Sequence, residues 1–184
     1  MPGPVEILMH EHRIIERALR ALHGVCQRLE SGTSIPADVP AQLVEFIQTF
    51  ADRCHHGKEE KHLFPALEAR GVPREGGPIG VMLDEHEMGR GFVREMAGAA
   101  AAYARGESEA AARFVRVARS YMDLLAQHIY KEDNVLFRIA ENVLDASANA
   151  ALVEAFEREE VALGIGTHEQ YERMASELER AWSV

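Results

Sequence analysis

Two stretches of the chain carry the same polar phrase inside apolar text: DRCHHGKEEKHLF at 52–64 and LAQHIYKEDNVLF at 125–137. Each has a histidine, then a lysine with two acids, then Leu-Phe two residues later. A second pair, LMHEHRII at 8–15 and MLDEHEMG at 82–89, sets Glu-His at matching positions. His12 precedes His55 by nearly the interval that separates His86 from His128. The chain therefore reads as two copies of a helical hairpin. Each copy gives one histidine from its first helix and His-x-x-x-Glu from its second. That spacing puts imidazole and carboxylate on one helix face, and together they form a donor set for metal ions.

Successive helical residues turn by about 100°, which sorts inner from outer positions. His12 shares a face with Leu8, Ile15, Leu19 and Leu22, while His10 lies opposite. His86 falls on the stripe Met82, Gly89, Val93, Met96 and Ala100. His128 and Glu132 sit among Phe114, Tyr121, Leu125, Val135 and Ile139. In the 52–64 phrase two rows compete. The row Ile47, Ala51, His55, Glu59, Leu63, Leu67 is apolar around its polar pair. The row Val44, Gln48, Asp52, His56, Glu60, Phe64 is wetter. Aligning the repeats on Leu-Phe pairs His55 with His128 and Glu59 with Glu132. Both arguments select His55 and Glu59 and leave His56 and Glu60 outside; His23 and His62 read as surface or flanking residues.

His12, His55, Glu59, His86, His128 and Glu132 would then meet in one buried layer. An alternative is a set of core histidines, each satisfied by a carboxylate. Six desolvated groups rarely satisfy one another, and metal ions resolve the conflict by binding neutral imidazole and carboxylate. Six donors exceed one tetrahedral zinc site. They suit two metals with terminal imidazoles and bridging carboxylates. The mixture favours iron, manganese or zinc over calcium or copper.

The elements that must position these residues are helices. Helical periodicity recurs, and Gly/Pro clusters separate the periodic segments. The spacing predicts helices over about 5–30, 37–70, 78–106 and 108–142, an all-α, up-down four-helix bundle. Two shorter helices follow at about 148–163 and 167–182, with Thr167 and Gln170 as a capping box. The expected division is a bundle at 1–145 and a helical extension at 146–184 that packs on it or faces a protein partner. With 184 residues the chain can bury a sizeable core. Its net charge of −10 argues against nucleic acid or an anionic membrane as partner. No apolar run suits a signal peptide or a membrane span. Two cysteines without a CxxC pair fit a cytoplasmic setting.

The set His12, HHGKEEKHLFP, EHE around His86 and HIYKEDNVLF resembles the hemerythrin-like HHE cation-binding family, in order and spacing over roughly 5–142. GPIGVMLDEHE further resembles the di-iron proteins of iron–sulfur cluster repair and nitric oxide stress. The resemblance implies two iron ions, oxo- or hydroxo- and carboxylate-bridged. Their ligands would be His12, His55, Glu59, His86, His128 and Glu132, with Glu59 and Glu132 bridging. Oxygen carriers of the family place a further histidine where this chain has Arg90, which implies a five-histidine set reduced to four and a more open centre. It also implies a small diatomic ligand or peroxide as the partner molecule, bound and turned over in a stress response. The rival expectation is a non-catalytic iron or oxygen sensor or a metal store.

Four further residues bear on the site. Asp133 is the alternative carboxylate to Glu132. His168 reads as a surface histidine at a helix start, or as one folded over the site by the tail. Tyr121 lies about two turns before His128 and could donate a hydrogen bond near metal. Arg90 marks the open face.

Overall fold

A computed structural model of the protein describes residues 2–184, and among them all regular structure is helical. Six helices follow in order. Helix α1 is Pro4–Glu30. Helix α2 covers 39–68 and changes pitch along its length: Val39–Phe46 is α-helical, Ile47–His56 and Glu59–Leu63 are π-helical, and Phe64–Glu68 is α-helical again. Helix α3 is Pro78–Ala104. Helix α4 covers 110–143, with a π turn at Glu132–Leu136. Helices α5 and α6 are Ala146–Leu163 and Thr167–Trp182. The ends fall within two residues of those the periodicity predicts.

The π segments coincide with the repeated phrases. A π turn closes i→i+5 and holds one more residue than an α turn, so the inward face slips by a position. Val135, expected inside, is 48% exposed, and Leu136 and Phe137 take the interior. The same widening brings His56 inward beside His55: both are buried. The expected Thr167 capping box does not form. Gly166 at φ 80° is the cap residue, and the Thr167 hydroxyl donates back to the Leu163 carbonyl at 3.5 Å.

The interior is two apolar clusters with a polar layer between them. One gathers Ile15, Leu22, Phe46, Phe50, Met96, Phe114 and Leu125; the other gathers Leu8, Leu63, Phe64, Met82, Leu136 and Phe137. His12 follows Leu8 and precedes Ile15, and His86 stands between Met82 and Val93, so each helix crosses the layer at its polar residues. Helices α3 and α4 pack together, and α1 packs on α4 and along α6. The α1–α6 approach depends on Gly24, where a Cβ would lie 1.9 Å from the Trp182 carbonyl oxygen. Arg28 donates to that carbonyl at 2.6 Å and Arg20 pairs with Glu179 at 2.6 Å. Helix α5 covers the π-helical part of α2, with Phe156 buried against it.

Candidate metal centre

His12, His55, Glu59, His86, His128 and Glu132 come together in the polar layer, each no more than 2% exposed. Nε2 of His12 is 3.1 Å from Glu132, and Nε2 of His128 is 3.3 Å from the same carboxylate. Nε2 of His55 and of His86 lie 3.6 and 3.4 Å from the two oxygens of Glu59. The sequence argument set His56 outside this group, and the structure corrects it. His56 stacks on His86 at 3.8 Å between ring centroids. Two clusters of donor atoms result: His12, His55, Glu59 and Glu132 in one, His56, His86, His128 and Glu59 in the other. A fifth buried imidazole, supplied by the π-helical stretch of α2, thus lies beside the four the sequence placed inside.

A ring of outer carboxylates orients the imidazoles. His12 Nδ1 meets Asp133 at 2.7 Å, His55 Nδ1 meets Glu11 at 2.9 Å, His86 Nδ1 meets Glu60 at 2.7 Å and His128 Nδ1 meets Glu85 at 2.9 Å. His56 Nδ1 reaches Asp52 at 3.4 Å. A carboxylate that accepts from Nδ1–H leaves the Nε2 lone pair free to bind a cation and fixes the ring. Asp133 therefore supports His12, while Glu132 faces the interior, as the repeat argues. The second layer of the ring is cationic. Lys58 and Lys131 pair with Glu11 and Glu85, and Arg90 pairs with Asp52 at 2.8 Å and Glu60 at 2.7 Å.

The inner groups are poor partners for one another. Nε2 of His12 and His55 and all four oxygens of Glu59 and Glu132 are buried without a hydrogen-bond partner. Leaving such groups unpaired costs several kcal/mol. Their separations of 3.1–3.6 Å are close to the roughly 3.0–3.4 Å between donors that share one metal about 2.1 Å away. Charge is equally frustrated. Burial, then the Glu132 charge, pushes the Glu59 carboxyl well above its ordinary range. Burial would raise Glu132 too, but His128 and His12 hold it well below. Burial and its imidazole neighbours push His55 down to about 4 and His86 to about 3. Burial opposes the proton on His128 as well, yet Glu132 and Glu85 carry it up to about 9. A pair of cations at the inner atoms would satisfy every one of these groups, so the residues fit bound metal.

The family comparison agrees with this geometry. The model of the hemerythrin HHE cation-binding domain matches residues 3–140. The chain belongs to the hemerythrin HHE cation-binding family. Membership implies metal binding, and the buried His/Glu layer is where this hemerythrin-family chain could hold it. Uncharacterized proteins of Mycobacterium bovis and Mycobacterium tuberculosis are 27% identical over 155 residues, which is 84% of this chain and 60% of theirs. The chain thus spans less than two thirds of those relatives. No solved structure gives a significant match.

The remaining sequence candidates divide. His168 reaches the outer ring, 3.2 Å from Glu11, which itself holds His55. Tyr121 is buried, and burial followed by the Asp52 charge pushes its phenol up. Arg90 is part of the outer ring. Cys54 is buried and pushed up to about 12, chiefly by burial, so it is an inert thiol at neutral pH. Sequence reasoning missed Glu11, Glu85, Lys58 and His56. The first two precede His12 and His86 in the repeated Glu-His pairs, and Lys58 matches Lys131, so the repeat carried their signal. His56 has no such signal, because its counterpart is Ile129 and its position depends on the π turn.

Proposed function

We propose that the chain binds two iron ions in its polar layer, in an up-down four-helix bundle of residues 1–145 on which 146–184 packs. One ion would be held by His12 and His55, the other by His56, His86 and His128, with Glu59 and Glu132 between them. Manganese and zinc suit the same donors. The observation that carries the reading is that Nε2 of His12 and His55 and all four oxygens of Glu59 and Glu132 are buried and unpartnered, with the donor atoms of His56, His86 and His128 gathered beside Glu59. When bound, two irons would supply up to two electrons to a small oxidant: O2, NO or a peroxide. The protein's own residues prepare that step. Glu11, Glu60, Glu85 and Asp133 hold the imidazole tautomers, the apolar clusters exclude bulk water, and Glu59 and Glu132 keep the donors of both halves together. Two buried, unpaired cysteines accord with a cytoplasmic setting, and no helix is long and apolar enough to cross a membrane.

The test is metal content and visible spectrum of aerobically purified wild type and Glu132→Ala. Two irons per chain with di-iron absorption are expected in the wild type, and loss of both in a variant of unchanged helicity. Fewer than two metals and no such bands in the wild type contradict the proposal.

The contact His168–Glu11–His55 supports a second reading, a sensor whose C-terminal helices report on the metal layer. Steady consumption of NO or peroxide favours the enzyme. Stoichiometric, reversible binding with altered amide-exchange protection over 146–182 favours the sensor.

A further inference from the structure

A cavity of about 160 Å³ adjoins one half of the layer only. Its inner wall is His56, His86 and His128, its sides include Gly89, Val93 and Tyr121, and its lining extends outward to the exposed Arg94. Cavities of about 150 Å³ with apolar walls hold benzene, whereas a water-sized molecule occupies roughly 30 Å³. O2, NO or hydrogen peroxide would leave most of this space unfilled. Ile47, Val93, Leu124 and Leu125 give it an apolar wall, Gln48, Asp52, Glu85 and Arg90 a polar one, and Tyr121, 2% exposed, lines it without a hydrogen bond from its hydroxyl to another described side chain. A buried phenolic O–H ordinarily finds a partner. Here a molecule in the cavity, water or a ligand that displaces it, could supply one. Gly89 keeps the space open: a Cβ there would lie 3.7 Å from the Tyr121 ring and 3.9 Å from Leu124, ordinary contact distances, so a longer side chain would project into the cavity.

We propose that the three-histidine half opens on a site for a small organic molecule, of about benzene's size and carrying one oxygen function, which accepts a hydrogen bond from Tyr121 beside His56, His86 and His128. This goes beyond the proposed function, on which it rests for the identity of the reacting face, by adding an organic ligand beside the place of the small oxidant. Tyr121 is a positioning residue in this account.

The probes are phenol and benzene, titrated into the full-length protein as purified and followed by amide resonances of Gly89 and Val93. Both should bind saturably at one site, phenol below about 1 mM. Tyr121→Phe should weaken phenol by about two- to tenfold and leave benzene unchanged. Gly89→Leu, and independently Val93→Phe, should abolish both. Iron content of each variant is measured alongside. Probe binding without bound iron would overturn the metal reading while the cavity assignment stands. Iron at two per chain without saturable probe binding overturns the cavity assignment alone. Equal phenol affinity in wild type and Tyr121→Phe overturns the role of the hydroxyl.

Discussion

The two halves of the metal layer share a frame and differ in what was built on it. In each repeat the Glu before the first-helix histidine supports the second-helix histidine: Glu11 holds His55 and Glu85 holds His128. A lysine three residues after that second histidine backs the same carboxylate, Lys58 on Glu11 and Lys131 on Glu85. The acid following each inner glutamate crosses to the other repeat, Glu60 to His86 and Asp133 to His12. The halves then part. His56 adds an imidazole where the other repeat has Ile129, and the cavity lies on that side. The His12–His55 half is closed instead by α5 and α6. There Glu160 reaches Lys58 at 2.5 Å and His168 reaches Glu11, so Lys58 is fully buried while the side chain of Lys131 is 35% exposed. A duplicated frame thus gives one sealed half and one half with an extra donor and a path to solvent.

Breaking the shared element should have the largest effect. Glu59 contributes to both clusters, so Glu59→Ala should weaken metal binding at both halves by more than about 100-fold, since even an outer partner is worth 10- to 100-fold. His56→Ile copies the other repeat and should remove one metal while the other remains. Elemental analysis of the two variants decides between this and a single indivisible site, for which both would lose all metal together.

The lysines test the closure. Lys58→Met removes the lysine from the buried Glu11 carboxylate, leaving it only His55 and His168, and should cost the metal-free protein about 3 kcal/mol. Lys131→Met acts at a partly exposed pair and should cost less than about 1 kcal/mol. Urea unfolding of both variants measures the difference, and equal costs would remove the asymmetry claimed for the two ends.

A smaller effect than breaking the shared element is expected on pH dependence without metal. His55, His56 and His86 have folded pKa values below the ordinary 6.5. Below that pH the unfolded chain therefore binds more protons, and stability falls as pH drops. Glu59, protonated in the folded state by burial beside Glu132, opposes these three with a single proton. His128, raised to about 9, and His12, also raised, act the other way: their contribution is complete below 6.5 and is lost as pH rises through their folded values. Stability should peak near pH 6.5, each group changing the unfolding constant by at most about tenfold per pH unit. A monotonic rise from pH 5 to 9 in thermal unfolding would contradict it.

Much of this was legible in the sequence because helical periodicity and an internal repeat reinforce each other. The six helices, the inward turn of His12, His86, His128 and Glu132, and the choice of Glu59 over Glu60 all follow from apolar rows read at α-helical pitch. Two of the failures share one physical cause. At Ile47–His56 and Glu132–Leu136 the backbone takes π turns, and α-helical pitch then misplaces His56 and Val135. The outer ring was visible only as repeated letters, since Glu11 and Lys58 acquire their roles through contacts across helices. The contact of His168 with Glu11 depends on how α6 lies along α1, which spacing alone does not encode.

The most direct test is a crystal of the iron-loaded protein with anomalous data collected at the iron edge. The account predicts two peaks per chain, one among His12, His55, Glu59 and Glu132, the other among His56, His86, His128 and Glu59. A single peak, or a second one away from His56, would contradict it.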